Sequence, residues 1–383
     1  MASYLPFSII VIIAVFVLIA VRKARWVGLR IWQIVLIGAV LVLITGQISL
    51  TAAMSYVDLT VIIFLLGIFI VGEAMVESGY LEHISYVLFK SARSVDMLVL
   101  LILFSVGFLS LFLLNDMLAI IGTPAVMMFA SKKRINPKLM LLTLAFAITT
   151  GSVASPIGNP QNLLIATSGI IPNPFTTFFS SLILPTIINL FIAYLVLKLF
   201  YGKEFDKKLP NPQQTRLKDK KLAGLCKMSL ALIGIAVMAD ILVTLAVPSF
   251  SFNLAYISVL AALPIIIFSE KRYRIFKGID WSTIVFFIAL FVLVGSVWQS
   301  GFLQSAISSL RLNTSSVPTV LAISVIGSQF VSNVPTSMLS IPSNILNTAS
   351  VHQKQPPPST IDIVLAAILL TLTLIYLNAR IIS

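Results

Sequence analysis

Acidic residues are scarce in this chain, and cysteine and histidine are nearly absent. Each shortage excludes a class of protein. Asp and Glu number 13 in 383 residues, and charged residues of both signs make up 10%, where a soluble domain carries about 25%. With 58% of the residues hydrophobic, the apolar surface far exceeds what one soluble core can bury. A soluble enzyme is excluded, as is a disordered or fibrous chain. The single cysteine, Cys226, forms neither an internal disulfide nor a cysteine-cluster metal site. His83 and His352, the two histidines, leave nothing for zinc chemistry or a catalytic triad. No cofactor, resident metal or enzymatic activity is expected. The excess of 26 Lys and Arg would suggest nucleic acid only if it clustered on a folded surface. It lies instead in short loops between apolar runs.

Those runs are what the sequence has in abundance. Segments able to cross a bilayer fall at roughly 5–21, 30–47, 57–78, 97–114, 117–130, 139–168, 176–200, 228–247, 253–269, 280–299, 318–349 and 360–379. The first ends at Val21-Arg22-Lys23 without a small-residue cleavage site, so it reads as a helix that stays. If the spans alternate as drawn, 24 of the 26 Lys and Arg fall on one side, leaving Arg311 and Lys354 opposite. By the positive-inside rule that side is the cytoplasm.

Three segments do not read as ordinary spans. Residues 97–130 have basic flanks at both ends, Lys90/Arg93 and Lys132–Arg134, and are interrupted by Asn115-Asp116. A polar pair is costly in hydrocarbon, so this is a re-entrant hairpin. Residues 318–349 repeat the pattern around Ser332-Asn333-Val334-Pro335-Thr336 with flanks poor in Lys and Arg. The third segment, Gly151 to Asn162, holds two glycines, two prolines and two asparagines. It reads as an unwound helix, tolerated only where it is buried in protein or lines a cavity.

An internal repeat organises these parts. At a shift of 222, residues 58–81 match 280–303 with seven identities: Asp58/Asp280, Ile62/Ile284, Phe64/Phe286, Phe69/Phe291, Ser78/Ser300, Gly79/Gly301 and Leu81/Leu303. About two are expected by chance at this composition. At a shift of 218, Asn115 falls on Asn333 and Pro124 on Pro342. The first copy runs inward and the second outward, so the repeats are inverted. Inverted repeats with discontinuous helices at mid-membrane are the architecture of a secondary transporter, with half-helix N-termini available to an anion. The organisation is then 1–55 scaffold helices, 56–200 first repeat, 201–227 basic cytoplasmic linker, 228–277 scaffold helices and 278–383 second repeat.

The string Gly158-Asn159-Pro160-Gln161-Asn162, with the Asn115-Asp116 and Ser332–Thr336 hairpins, resembles the ion transporter superfamily. That superfamily includes arsenite-efflux permeases, divalent-anion/sodium symporters and citrate-transporter-like permeases. The resemblance implies an all-α polytopic fold of elevator type, each repeat with a re-entrant hairpin that moves with the substrate against a scaffold. It also implies a homodimer. The symporters carry Ser-Asn-Thr at both tips. Here the first tip is Leu114-Asn115-Asp116, closer to the arsenite branch, and the second has Val334 for Thr. An inorganic oxyanion or arsenite-like species is therefore expected ahead of a small carboxylate, coupled to H⁺ or Na⁺. The second-repeat partner of the break would fall near 369–380, which contains neither glycine nor proline. That segment is expected to be degenerate or incomplete.

The candidate substrate- and ion-binding residues are Asn115, Asp116, Gly158, Asn159, Asn162, Ser332, Asn333 and Thr336. Their amides, hydroxyls and exposed carbonyls could ligate an ion or hydrogen-bond an oxyanion. Hairpin caps and a kink braced by neighbouring helices are the structural alternatives. Asp116 and Asp240 are candidates for proton coupling, Asp240 as a lone acid deep in an apolar span. Glu73 and Glu77 share a helix face, but their copies are Gly295 and Gln299, so the repeat does not preserve their charge. A cation/proton antiporter on the same architecture is the rival function. An intramembrane protease would need a motif that the two isolated histidines cannot supply.

Overall fold

No water satisfies backbone groups in hydrocarbon, so apolar runs become helices and the sequence must chiefly specify where each one stops. The structure is a computed structural model that describes residues 5–21, 28–169, 171, 173–209, 217–247, 253–309, 334, 337 and 338. The first helices are α1 (Phe7–Val21), α2 (Ile31–Ile44), α3 (Leu50–Tyr56), α4 (Leu59–Ser78), α5 (Tyr80–Phe89) and α6 (Val95–Leu101). α6 continues through a π turn, Ile102–Val106, into α7 (Gly107–Leu109), and the chain then reverses into α8 (Asn115–Lys133). α9 (Pro137–Gly151) ends in a 3-10 turn, Ser152–Ala154, before α10 (Pro160–Thr167). The remaining elements are α11 (Pro174–Phe205), α12 (Lys220–Ala246), α13 (Leu254–Phe268), α14 (Arg272–Gly278), α15 (Trp281–Gln299) and α16 (Phe302–Ser309).

The stops follow ordinary capping chemistry. Ser49, Ser94, Asn136, Asn159, Asp219, Asn253 and Asp280 each accept a backbone N–H at the start of the next helix. Pro137, Pro160 and Pro174 occupy first-turn positions, where no N–H is needed. Among the described residues, five helices are long and apolar enough to cross a membrane: Leu59–Ser78, Pro137–Ala154, Pro174–Phe205, Lys220–Thr244 and Trp281–Gln299. This is a multi-pass membrane protein.

The described residues form two compact units. One takes the chain up to Leu65 and resumes at Asp280, and the other holds Leu66 to Ile279. In the first, α15 packs on α1, α2 and α3, burying Phe287, Leu290, Leu293 and Val297. Two glycines set that spacing: a Cβ on Gly295 would meet the Tyr56 ring at 2.6 Å, and one on Gly38 would meet Val15 at 2.6 Å. In the second, α12 packs on α13, α8 on α9, and α9 on α11 and the π turn.

Residue polarity is inverted relative to a soluble fold. On α12 the buried stripe includes Ser229, Asp240 and Thr244, while Ile235, Met238 and Leu242 are 64%, 56% and 59% exposed. Apolar side chains outside and polar ones inside are what lipid selects. The expected linker is also shorter than 201–227. Residues Lys220 to Lys227 form the first two turns of α12, capped by Asp219, whose Oδ1 accepts the Leu222 N–H at 3.0 Å. The basic residues of 203–227, with Pro210 and Pro212, read as a solvated linker in the sequence, yet Cys226 is fully buried on that helix.

The residues that match at a shift of 222 hold matching local roles. Asp58 and Asp280 each accept a backbone N–H three residues on, from Val61 and Thr283, both at 3.2 Å. Ser78 and Ser300 hydroxyls each donate to the carbonyl three residues back and accept from the N–H two residues on. Gly79 and Gly301 take left-handed φ of +71° and +70°, a conformation that favours glycine. The second hairpin, with Ser332, Asn333 and Thr336, and the 369–380 segment lie outside the described residues.

Candidate functional site

The first hairpin and the broken helix meet within the Leu66–Ile279 unit. The backbone N–H of Asn115, first residue of α8, donates to the Gly158 carbonyl at 2.9 Å. One residue further, Asn159 caps α10 by accepting the Asn162 N–H at 2.8 Å. The N-termini of α8 and α10 therefore lie side by side, each carrying a partial positive charge.

Glycine allows this meeting by close approach. A Cβ on Gly158 would fall 2.6 Å from both the Ser110 and Ser152 carbonyl oxygens, and one on Gly151 would fall 2.4 Å from the Gly107 Cα. Both arms of the hairpin thus touch the break, and the Ser110 hydroxyl adds a bond to the Ile148 carbonyl at 2.9 Å.

The two asparagines of the break do different work from that expected. The Asn162 amide donates to the carbonyls of Ser152 at 3.3 Å, Val153 at 3.1 Å and Ser155 at 2.9 Å. The Asn159 amide donates to the Ser152 hydroxyl at 3.1 Å and carbonyl at 3.4 Å. These donors satisfy the carbonyls that unwinding releases. Asn115 differs: its Oδ1 is buried with no hydrogen-bond partner among the described residues. Asp116, beside it in the first turn of α8, is exposed. Asn115, Asp116, Gly158, Asn159 and Asn162 are therefore brought together.

Asp240 is not part of that group by any described contact. It is 5% exposed on α12 and has no ion pair or hydrogen bond among the described residues. Glu77 serves an ion-pair cluster at the chain's basic loops, bonding Arg274 Nη1 at 2.9 Å and approaching Lys271 Nζ at 3.5 Å. Lys271 also pairs with Asp219 at 2.9 Å. The Leu222 N–H and then Lys271 hold the Asp219 carboxyl below its usual range, and Asp219 raises Lys271 in return. Sequence reasoning missed Ser110, Ser152, Thr186 and Asn189. The last two carried a readable signal: a polar pair three residues apart within an apolar span.

Residues 14–374 match the model of the citrate transporter family. The chain belongs to that family. Among its relatives, the silicon efflux transporter LSI3 of Oryza sativa subsp. japonica is 29% identical over 179 residues, 47% of this chain and 36% of that protein. An uncharacterized transporter of Mycobacterium tuberculosis strain H37Rv is 25% identical over 254 residues, 64% of this chain and 57% of that one. This family member thus spans little more than a third of one relative and just over half of the other. A chain of the Alcanivorax borkumensis YdaH transporter overlays with TM-score 0.49 at 14% identity, over 85% of this chain and 84% of that chain, a likeness too loose to bear on function.

Proposed function

We propose that this family member is a secondary permease for a small anion, coupled to H⁺ or Na⁺. The observation that supports this best is the juxtaposition of the α8 and α10 N-termini at Asn115–Gly158, a pairing of positive dipole ends beside unwound backbone. No Lys or Arg lies between Lys138 and Lys198, and the Asn159 and Asn162 amides are held by backbone, so the helix N-terminal dipoles are what an anion would meet there. An inorganic oxyanion or arsenite-like species is preferred over a small carboxylate. The silicon efflux relative points the same way by its name.

The working cycle is an elevator of two inverted repeats, in a homodimer with basic loops cytoplasmic. The expected ligands Ser332, Asn333 and Thr336 lie outside the described residues. The equal roles of Asp58/Asp280, Ser78/Ser300 and Gly79/Gly301 support the repeat. Asp116 is the proposed coupling acid. An anion at the α8 N-terminus and an ionised Asp116 repel each other at short range, and a proton on Asp116 removes the repulsion. Asp240 is the second candidate, and strict dependence on it would favour the cation/proton antiporter.

The test is proteoliposome uptake of labelled arsenite, phosphate, silicate and citrate, with Na⁺ and pH gradients imposed separately. Asp116→Asn is expected to bind the transported anion but lose accumulation driven by the pH gradient. Full pH-driven accumulation in that variant would remove Asp116 from the mechanism, and no uptake of any anion would remove the permease.

A further inference from the structure

Two polar side chains on α11 belong to none of the groups above. Thr186 and Asn189 are 4% and 3% exposed, and their Oγ1 and Oδ1 atoms have no hydrogen-bond partner among the described residues. They lie one turn apart on the buried face of α11 that also carries Leu190, Ala193 and Leu197. Burying an unpaired polar atom is costly, so two on one turn call for an occupant.

Their depth follows from the register of α9 against α11. Near the basic loops, the Asn136 N–H donates to Glu204 Oε2 at 3.0 Å. Further in, a Cβ on Gly107 would touch the Leu190 side chain at 3.3 Å and the Ala147 carbonyl at 3.4 Å. The two helices are antiparallel, and α11 is regular between Leu190 and Thr186, on the far side of its kink at Tyr201. Thr186 and Asn189 therefore lie level with the end of α9 and the turn Ser152–Ala154, on which α11 packs.

The chemistry offered there is uncharged, with the Thr186 hydroxyl and the Asn189 carbonyl oxygen unpartnered among the described residues. Pro185, buried beside Thr186, lacks an N–H and deprives the Ser181 carbonyl of its helical partner. From 139 to 197 the sequence contains no charged residue. The C-terminus of α9 brings the negative end of its dipole to the same level. Neutral oxygens at a negative helix end suit a small hard cation, whereas the N-termini of α8 and α10 suit an anion.

We propose that Thr186 and Asn189, with the end of α9, form a binding site for a sodium-class monovalent cation. This deepens the permease reading by naming where a coupling cation sits. It rests on that reading for its role in transport, while binding is measurable without transport.

The experiment is thermal unfolding of the purified full chain in detergent, titrated with NaCl against choline chloride at constant ionic strength. Sodium should raise the melting temperature saturably where choline does not. Thr186→Val and Asn189→Leu should each weaken the apparent Na⁺ affinity by about tenfold or more, the loss of one ligand oxygen. Thr186→Ser, which keeps the hydroxyl, should retain the response and serves as the folding control. Asp116→Asn, at an exposed position in the first turn of α8, should keep the sodium response even where pH-driven accumulation is lost, which separates this site from the proposed coupling acid. A melting temperature insensitive to Na⁺, as for a site holding only water, overturns the proposal. So does a sodium response that survives in the Thr186→Val/Asn189→Leu double variant.

Discussion

Asn162 shows how one side chain can hold a break in a membrane helix. Ending α9 inside the protein strands carbonyls that would each cost several kcal/mol if buried without a partner. A single amide reaches three of them, on Ser152, Val153 and Ser155. This is why its donor end faces the backbone. Asn162→Ala should destabilise the protein by roughly 1–2 kcal/mol, chiefly because the Val153 carbonyl loses its donor while the Ser152 and Ser155 carbonyls keep the Ser155 and Gly158 N–H groups. Asn162→Asp should cost more, because an acceptor-only group would then face three acceptors. Thermal unfolding in detergent orders the variants as wild type, Ala, Asp. If Asp were as stable as Ala, the amide would not be the donor that holds the break.

Among the elements, the hairpin arm and the broken helix depend on a glycine crossing. Gly107 and Gly151 bring the π-turned arm and the end of α9 to backbone contact, which leaves no volume for a methyl group. Gly151→Ala should therefore cost about 1–3 kcal/mol through overpacking. Gly224, in the first turns of α12, gives the opposite sign, because a Cβ added there would meet nothing within 4 Å. Gly224→Ala should stabilise by about 0.5–1 kcal/mol, the helix-propensity difference. Melting temperatures of the two variants check both signs, and equal shifts would mean that the crossing has room to relax. The π turn Ile102–Val106 lies immediately before the crossing, and such turns bend helices.

For the whole molecule, orientation is the property to test. Cys226 is fully buried, so the native chain should be silent to a membrane-impermeant maleimide. The variants Lys138→Cys and Lys277→Cys should react only after the membrane is permeabilised to admit the reagent to the cytoplasm. Gly169→Cys, at an exposed position between α10 and α11 whose left-handed φ of +75° the cysteine would strain, should react in intact cells. Labelling of the first two from outside would reverse the proposed topology.

The sequence alone determined the class of protein, the apolar helices and the break between α9 and α10. These follow from hydropathy, loop charge and the position of Gly, Pro and Asn, all of which act locally or through the bilayer. It also marked Asn115, Asp116, Gly158, Asn159 and Asn162 as one group. Only the tertiary structure decided how the group is used. Asn162 and Asn159 turn inward to satisfy backbone, Gly158 is needed for close approach, and the α8 and α10 N-termini meet. Thr186 and Asn189 acquired significance in the same way, because the register of α11 against α9 sets their depth. Which partner a polar group finds, and at what level in the membrane, depends on helices far apart in sequence that pack together, and local pattern does not encode that.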